Sequence, residues 1–188
     1  MPGPVRGDRS GACEKDGALV TRGERILPPP EAGERAMLSA WLDFQRATLA
    51  LKCAGLSDDQ LRQQAVPPSR LSLLGLVRHM AEVERAWFRR RFAGQPELGY
   101  VHCSDEFPDG DFDFAEPGGA GADLASYVAE CALAREAAAG RSLEETFAGR
   151  RGESIDLRWV YQHMIEEYAR HNGHADFLRE QIDGVTGD

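Results

Sequence analysis

Apolar side chains recur every three or four residues in four separate stretches of the chain, which is the pattern of amphipathic α-helices. The stretches are Glu31 to Gly55, Leu71 to Phe92, Asp123 to Ala139 and Trp159 to Ile182. Each is long enough for several helical turns, and each is bounded by glycine, proline or capping residues. The pattern therefore predicts an all-α protein built on four long helices.

The segments between these helices carry clear start and stop signals. Ser57 is placed to cap a short helical turn that extends to Gln64, and Asp156 is placed to cap the last helix after an extended stretch from Arg150. Residues 94–121 form a long loop between the second and third long helices, rich in Asp, Pro and Gly. We expect its aromatic residues to anchor it against the helices; they are Tyr100, Phe107, Phe112 and Phe114.

The first 28 residues differ in composition from the rest of the chain. They are rich in glycine, proline and charge with few apolar positions, which predicts a disordered N-terminal extension. The three prolines from Pro28 mark the end of this segment. Residues 29–188 are then the length of one domain.

Charge and cysteine content limit the possible partners and location. The net charge of −9 argues against nucleic acid and anionic membranes, which require a basic surface. The chain shows neither an apolar run long enough to span a membrane nor a signal peptide, and its four cysteines form no C-x-x-C pair. We expect a cytoplasmic protein with reduced thiols.

The last helix carries an unusual set of ionisable residues. Glu167 and His171 lie about 40° apart on a helical wheel, with His163 and His174 on the same side and Arg170 nearby. Imidazole and carboxylate together suit zinc, iron, nickel or manganese. The alternative is a solvated pair of helix neighbours, which stabilises a helix by only a few tenths of a kcal/mol.

A third metal ligand has to come from another element. His79 lies on the apolar helix from Leu71 to Phe92, so it is either a ligand or a hydrogen-bonded core histidine. His102 and Cys103 are adjacent in the long loop, where Cys103 is a candidate site thiol or an incidental exposed residue. No glycine-rich phosphate-binding loop is recognisable.

Two runs of residues resemble an actinobacterial branch of the DinB-like superfamily: S-L-L-G-L-V-R-H-M-A-E-V-E-R-A-W-F from Ser72 and R-W-V-Y-Q-H-M-I-E-E-Y-A-R-H-N-G-H-A-D-F-L-R-E-Q-I-D-G from Arg158. The resemblance covers residues 30–188 and implies a four-helix bundle, often homodimeric. It implies His79, Glu167 and His171 as the ligands of a divalent metal, with zinc favoured and nickel, iron or manganese as other candidates. The commonest pattern of that superfamily has His at the position of Glu167, whereas mycothiol-dependent maleylpyruvate isomerases have the His, Glu, His set but also a second domain.

The resemblance implies a metal-dependent thiol S-transferase or thiol-dependent isomerase, with mycothiol as co-substrate and a small electrophile as the second substrate. The metal would hold the thiol as thiolate, and His163, Arg170 and His174 would assist as surrounding or substrate-binding groups. One alternative is a metal-dependent hydrolase that activates water. A second is a non-enzymatic metal-binding or stress-response module.

Overall fold

The computed structural model describes residues 25–113 and 115–186, and in these ranges the protein is mostly helical. The helices are α1 Glu34–Cys53, α2 Asp58–Arg62, α3 Leu73–Glu84, α4 Gly110–Asp113, α5 Ala120–Ala138 and α6 Leu157–Asp183. Helix α3 continues without a break as a π-helical segment, Arg85–Phe92. Two short strands, β1 Thr146–Ala148 and β2 Ser154–Asp156, form an antiparallel hairpin. The prediction of an all-α protein is confirmed at the level of fold class.

Side-chain caps begin three of the helices. The Ser57 and Gln60 side chains form a reciprocal capping box at the start of α2, and the Ser72 hydroxyl accepts from the Gly75 amide at the start of α3. Asp156 Oδ1 accepts from the Trp159 amide at 2.7 Å at the start of α6. Capping by Ser57 and Asp156, predicted from the sequence, is therefore confirmed.

The four long helices share one hydrophobic core. Helix α1 packs along α6, α3 packs along α5, and α3 also contacts α1 and α6. The side chains between them are apolar and inaccessible to solvent, among them Leu42, Leu49, Leu74, Met80 and Met164. Burial of a side chain of this size is worth about 1.5–3 kcal/mol, so this core supplies most of the stabilisation that fixes α3 and α6 side by side.

A polar network crosses the centre of this core. The buried carboxylate of Glu84 accepts from Arg46 Nε at 2.7 Å and Nη2 at 2.6 Å, and from the Tyr168 hydroxyl at 2.8 Å. The Tyr168 hydroxyl also lies 3.1 Å from the Tyr127 hydroxyl, from which it can accept because its own proton is directed to Glu84. Burial raises the pKa of both tyrosines, and it raises the pKa of the neighbouring Cys131 thiol to about 12. The centre of the network is therefore the ion pair of Glu84 and Arg46, surrounded by neutral tyrosine and cysteine side chains.

The long loop is held against α3 by a buried arginine. Arg78 Nε donates to the Asp111 carbonyl and Arg78 Nη2 to the Gly110 carbonyl, both at 2.9 Å. Its Nη1 pairs with Asp123 at 3.1 Å, at the start of α5. These contacts place Asp111 beside the middle of α3.

The structure differs from the sequence-based expectation in several boundaries. The long loop contains the short helix α4, and α5 begins at Ala120 rather than Asp123, while the predicted anchor Phe114 lies outside the described residues. The stretch predicted as one extended segment is the second strand of a hairpin whose first strand was not predicted. The π-helical segment was predicted only as the end of an ordinary helix.

Most of the predicted N-terminal extension, residues 1–24, and Cys13 within it lie outside the described residues. Residues 25–28 have no regular secondary structure, and Ile26 and Leu27 are largely exposed. Among the helices of the described ranges, none combines the length and the apolar character that crossing a membrane requires.

Candidate metal centre and adjoining cavity

Helices α3 and α6 bring His79, Glu167 and His171 together. One potential ligand atom from each residue lies within 4.8 Å of those of the other two. Glu167 and His171 are four residues apart on α6 and therefore share a face, with Glu167 Oε2 at 3.5 Å from His171 Nε2. The His79 ring lies edge-on to the His171 ring, with the centroids 4.8 Å apart. The structure thus gathers the three residues that the resemblance implied as ligands.

The orientation of His79 is set by the long loop. His79 Nδ1 lies 2.8 Å from Oδ2 of Asp111, whose side chain is 5% exposed. Phe112 stacks on the imidazole, with ring centroids 5.1 Å apart. A hydrogen bond from Nδ1 to a carboxylate fixes the tautomer that leaves Nε2 free as a ligand, an arrangement typical of metal-binding histidines.

Glu167 lies between two histidines of its own helix. Its Oε1 is 3.5 Å from His163 Nε2, and its Oε2 faces His171. The His163 ring stacks on Trp159 and meets Trp87 edge-on, with centroid distances of 4.8 Å and 4.6 Å. Burial lowers the pKa of His163, which favours the neutral imidazole beside the carboxylate.

His171 is held in its neutral form. Burial, followed by the charges of His79 and His174, lowers the pKa of His171 to about 4. The Nδ1 atoms of His171 and His174 are 3.4 Å apart, so His174 contacts the ring on the side away from Glu167. A neutral imidazole is the form that binds a metal, so this ligand is available at neutral pH.

The donor set and its spacing fit a divalent metal. Nitrogen and oxygen ligands lie about 2.0–2.2 Å from zinc, so two ligands of one ion are at most about 4.4 Å apart. The 3.5 Å separation of Glu167 and His171 meets this limit as it stands. The ligand atoms of all three residues lie within 4.8 Å of one another, close to the same limit.

A second grouping of His163, Glu166 and Glu167 also has ligand atoms within 4.8 Å of one another. Glu166 is exposed and is bound by Arg170, whose Nε donates to it at 3.0 Å. Of the two groupings, His79, Glu167 and His171 are the candidate ligand set, because they come from two helices and the His79 ring is hydrogen-bonded to the Asp111 carboxylate. Arg170, a sequence-based candidate, points to solvent and is not brought to this centre.

A cavity of about 640 Å³ lies beside His79. Its walls include Trp87 and Tyr100, with Cys103 and Asp111 near the histidine. This volume lies in the range of about 300–1,000 Å³ that is usual for small-molecule sites. The candidate metal centre therefore borders, through His79, a space large enough for an organic ligand; Glu167 and His171 are not among its lining residues.

Cys103 and His102 lie near the centre but outside the ligand set. The Glu82 carboxylate accepts from both of their backbone amides and so fixes the loop. Burial raises the pKa of the Cys103 thiol to about 11, and burial together with Arg78 lowers the pKa of His102. Cys103 is therefore a neutral thiol in the cavity wall at neutral pH.

No sequence pattern singles out Asp111 or Trp87 as a site residue. Asp111 is one of several acidic residues in the long loop, and only the contacts of Arg78 single it out. In the sequence, Trp87 does not differ from the other apolar residues of its helix. A histidine that binds a metal usually has a carboxylate partner, so an acidic residue of the loop could have been expected beside His79. The dipeptide of Asp111 and Phe112 is the signal that could have suggested Asp111 for this role.

Comparison with known families shows which family the chain belongs to. Neither a curated protein nor a solved structure matches the chain. The family model described as mycothiol S-transferase matches residues 37–184, from the first turn of α1 to the residue after α6. The match includes both helices of the candidate metal centre and confirms the resemblance to the DinB-like, mycothiol-related group. The chain belongs to the mycothiol S-transferase family.

Proposed function

We propose that this protein is a metal-dependent thiol S-transferase of the DinB-like four-helix bundle type, with mycothiol as its thiol substrate. The family's name supports the reaction class and the thiol. The grouping of His79, Glu167 and His171 beside a cavity of about 640 Å³ is the observation that carries the metal-dependent part of the proposal.

The ligand set suits a catalytic metal. Three protein ligands leave a coordination position for another molecule, which is the arrangement of catalytic rather than structural zinc sites. A divalent metal held there supplies positive charge that stabilises a thiol in its deprotonated, nucleophilic form at neutral pH. Asp111 supports this role by fixing the ring of His79 and raising the basicity of its free nitrogen.

Among residues 25–113 and 115–186, no cysteine presents a nucleophilic thiol at the centre. Cys103 is the cysteine that lines the cavity, and its pKa of about 11 leaves it protonated at neutral pH. Cys53 and Cys131 are buried in the core. An external thiol therefore fits the chemistry better than attack by a cysteine of the chain, and the cavity gives room for it.

The first test compares single-residue variants for metal content and for turnover with mycothiol and an electrophile. We expect His79→Ala, Glu167→Ala and His171→Ala each to lose the metal and the activity. His102→Ala is the matched control, because this partly buried histidine lies nearby without joining the ligand set, and it should keep stoichiometric metal. Full metal retention in His171→Ala would contradict the assignment of these three residues as ligands.

The second test follows the fate of the thiol. A transferase leaves the thiol sulfur bonded to carbon in the product, which mass spectrometry detects, whereas a thiol-dependent isomerase returns free thiol. A hydrolase would turn over its substrate without any thiol and faster as pH rises. Thiol-independent turnover by the metal-loaded protein would therefore contradict the proposed function.

A further inference from the structure

Three arginines line the cavity without a carboxylate partner. Arg90 and Arg91 project from the π-helical segment, and Arg150 comes from the turn between the two strands. Within residues 25–113 and 115–186, no acidic side chain lies within ion-pair distance of any of the three. Arg85 and Arg89 of the same segment contrast with them, because both are neutralised by Glu130.

The carboxylates of the same cavity already have partners. Asp111 is bound to His79, Glu82 accepts from two loop amides, and Asp105 accepts from the Tyr100 hydroxyl at 3.2 Å. The cavity wall thus carries three arginines and three carboxylates, but none of these carboxylates forms an ion pair with Arg90, Arg91 or Arg150, whose guanidinium groups remain available to an anionic ligand.

Aromatic contacts hold two of the guanidinium groups against the wall. Arg91 lies over the Trp87 ring at 4.0 Å from its centroid, and Arg90 lies over the Tyr100 ring at 4.7 Å. Stacking of this kind leaves the edge of the guanidinium free to donate hydrogen bonds. Burial, followed by the charges of Arg150 and Arg90, lowers the pKa of Arg91, and a bound anion would offset the repulsion between these guanidinium groups.

The π-helical segment explains why these arginines share a cavity with His79. In an uninterrupted α-helix, Arg91 would lie twelve residues and about 120° away from His79 around the axis. Each residue of a π-helix advances by a smaller angle, which returns Arg91 towards the side of His79. The two residues remain about three turns apart, roughly 18 Å at the α-helical rise per residue, and the Arg91 side chain leans back towards His79.

We propose that the cavity selects an elongated electrophile with an anionic oxygen group at the end remote from its reactive carbon. The arginines Arg90, Arg91 and Arg150 bind the anion, and the reactive carbon lies towards His79. This inference rests on the proposed function: the thiolate sulfur forms a bond to that carbon, and the leaving group departs with the electron pair of the bond that breaks. A pseudodisaccharide thiol offers hydroxyl groups rather than an anion, so the arginines serve the second substrate.

The test uses two pairs of probes that differ only in charge. Hexanoate and hexanamide measure binding by calorimetry, and 6-bromohexanoate and 6-bromohexanamide measure turnover, with bromide as the leaving group. The metal-loaded protein is compared with Arg91→Gln, Arg150→Gln and Arg151→Gln. Arg151 is the matched control, since it is exposed, adjacent in sequence and absent from the cavity wall.

We expect Arg91→Gln and Arg150→Gln each to weaken hexanoate binding about tenfold, as loss of a charged hydrogen bond does. Hexanamide binding should be equal in all four proteins, and Arg151→Gln should match the unmodified protein throughout. Equal affinity for both probes in the unmodified protein, or an equal loss in Arg151→Gln, overturns the proposal. Selective hexanoate binding without thiol-dependent turnover would keep the anion site and reject the proposed function instead.

Discussion

The carboxylate behind His79 gives the sharpest single-residue prediction. Asp111 accepts from His79 Nδ1 at 2.8 Å and is almost fully buried. Loss of such a carboxylate typically weakens metal binding 10–100-fold, or about 1.4–2.8 kcal/mol. Asp111→Asn keeps the shape of the side chain and a neutral acceptor, so we expect zinc affinity to fall about tenfold. Asp111→Ala removes the acceptor, so we expect zinc affinity to fall about a hundredfold.

The measurement is a competition titration of zinc between each variant and a chromophoric chelator. Asp113→Ala is the matched control: it is two residues away, and its carboxylate pairs with exposed Arg70 rather than with a histidine. Circular dichroism at the working temperature checks that each variant is folded. Zinc affinity of Asp111→Ala within twofold of the unmodified protein, with the fold intact, would refute the role given to this residue.

Two further predictions concern stability. Glu84→Gln leaves the buried charge of Arg46 with only the half-exposed Asp43 as a counter-charge and should cost up to about 3–5 kcal/mol in urea unfolding, whereas Glu34→Gln at a surface pair should cost at most about 1 kcal/mol; equal effects would contradict the network. Burial lowers the pKa of His171 to about 4, against about 6.5 in the unfolded chain, so the folded state binds fewer protons between these values. The unfolding free energy of metal-free protein should therefore rise with pH from about 4 to 6.5, by up to about 1.4 kcal/mol per unit. His171→Gln should flatten this rise, whereas His174→Gln should leave most of it, because burial is the largest cause of the lowered pKa of His171; an unchanged profile in His171→Gln would refute the assignment.

The helices and most of the ligand geometry were predictable because they depend on local pattern. Capping by Ser57 and Asp156 and the four-residue spacing of Glu167 and His171 follow from helical geometry alone. Arg170 shows the limit of that reasoning. Arg170 lies about 60° from Glu167 on the helical wheel, which places it near the candidate ligands. It forms an ion pair with Glu166 one turn earlier instead, and its guanidinium group is exposed to solvent.

The remaining features depend on contacts between segments distant in sequence. Asp111 reaches His79 because buried Arg78 binds two carbonyls of the loop, and no local pattern encodes that contact. The π-helical segment differs from an α-helix by one residue in its hydrogen-bond partners, which an apolar repeat cannot reveal. The unpaired charges of Arg90 and Arg91 become evident only once Glu130 is seen to neutralise their neighbours.

The central claim is that the centre formed by His79, Glu167 and His171 holds a metal that binds the substrate thiol as thiolate. Addition of mycothiol to the Co(II)-substituted protein tests it most directly, because a sulfur ligand produces a charge-transfer absorption that oxygen and nitrogen ligands do not. We predict that this band develops to saturation with release of about one proton per thiol bound. A fully cobalt-loaded protein that shows neither the band nor the proton release would contradict the account.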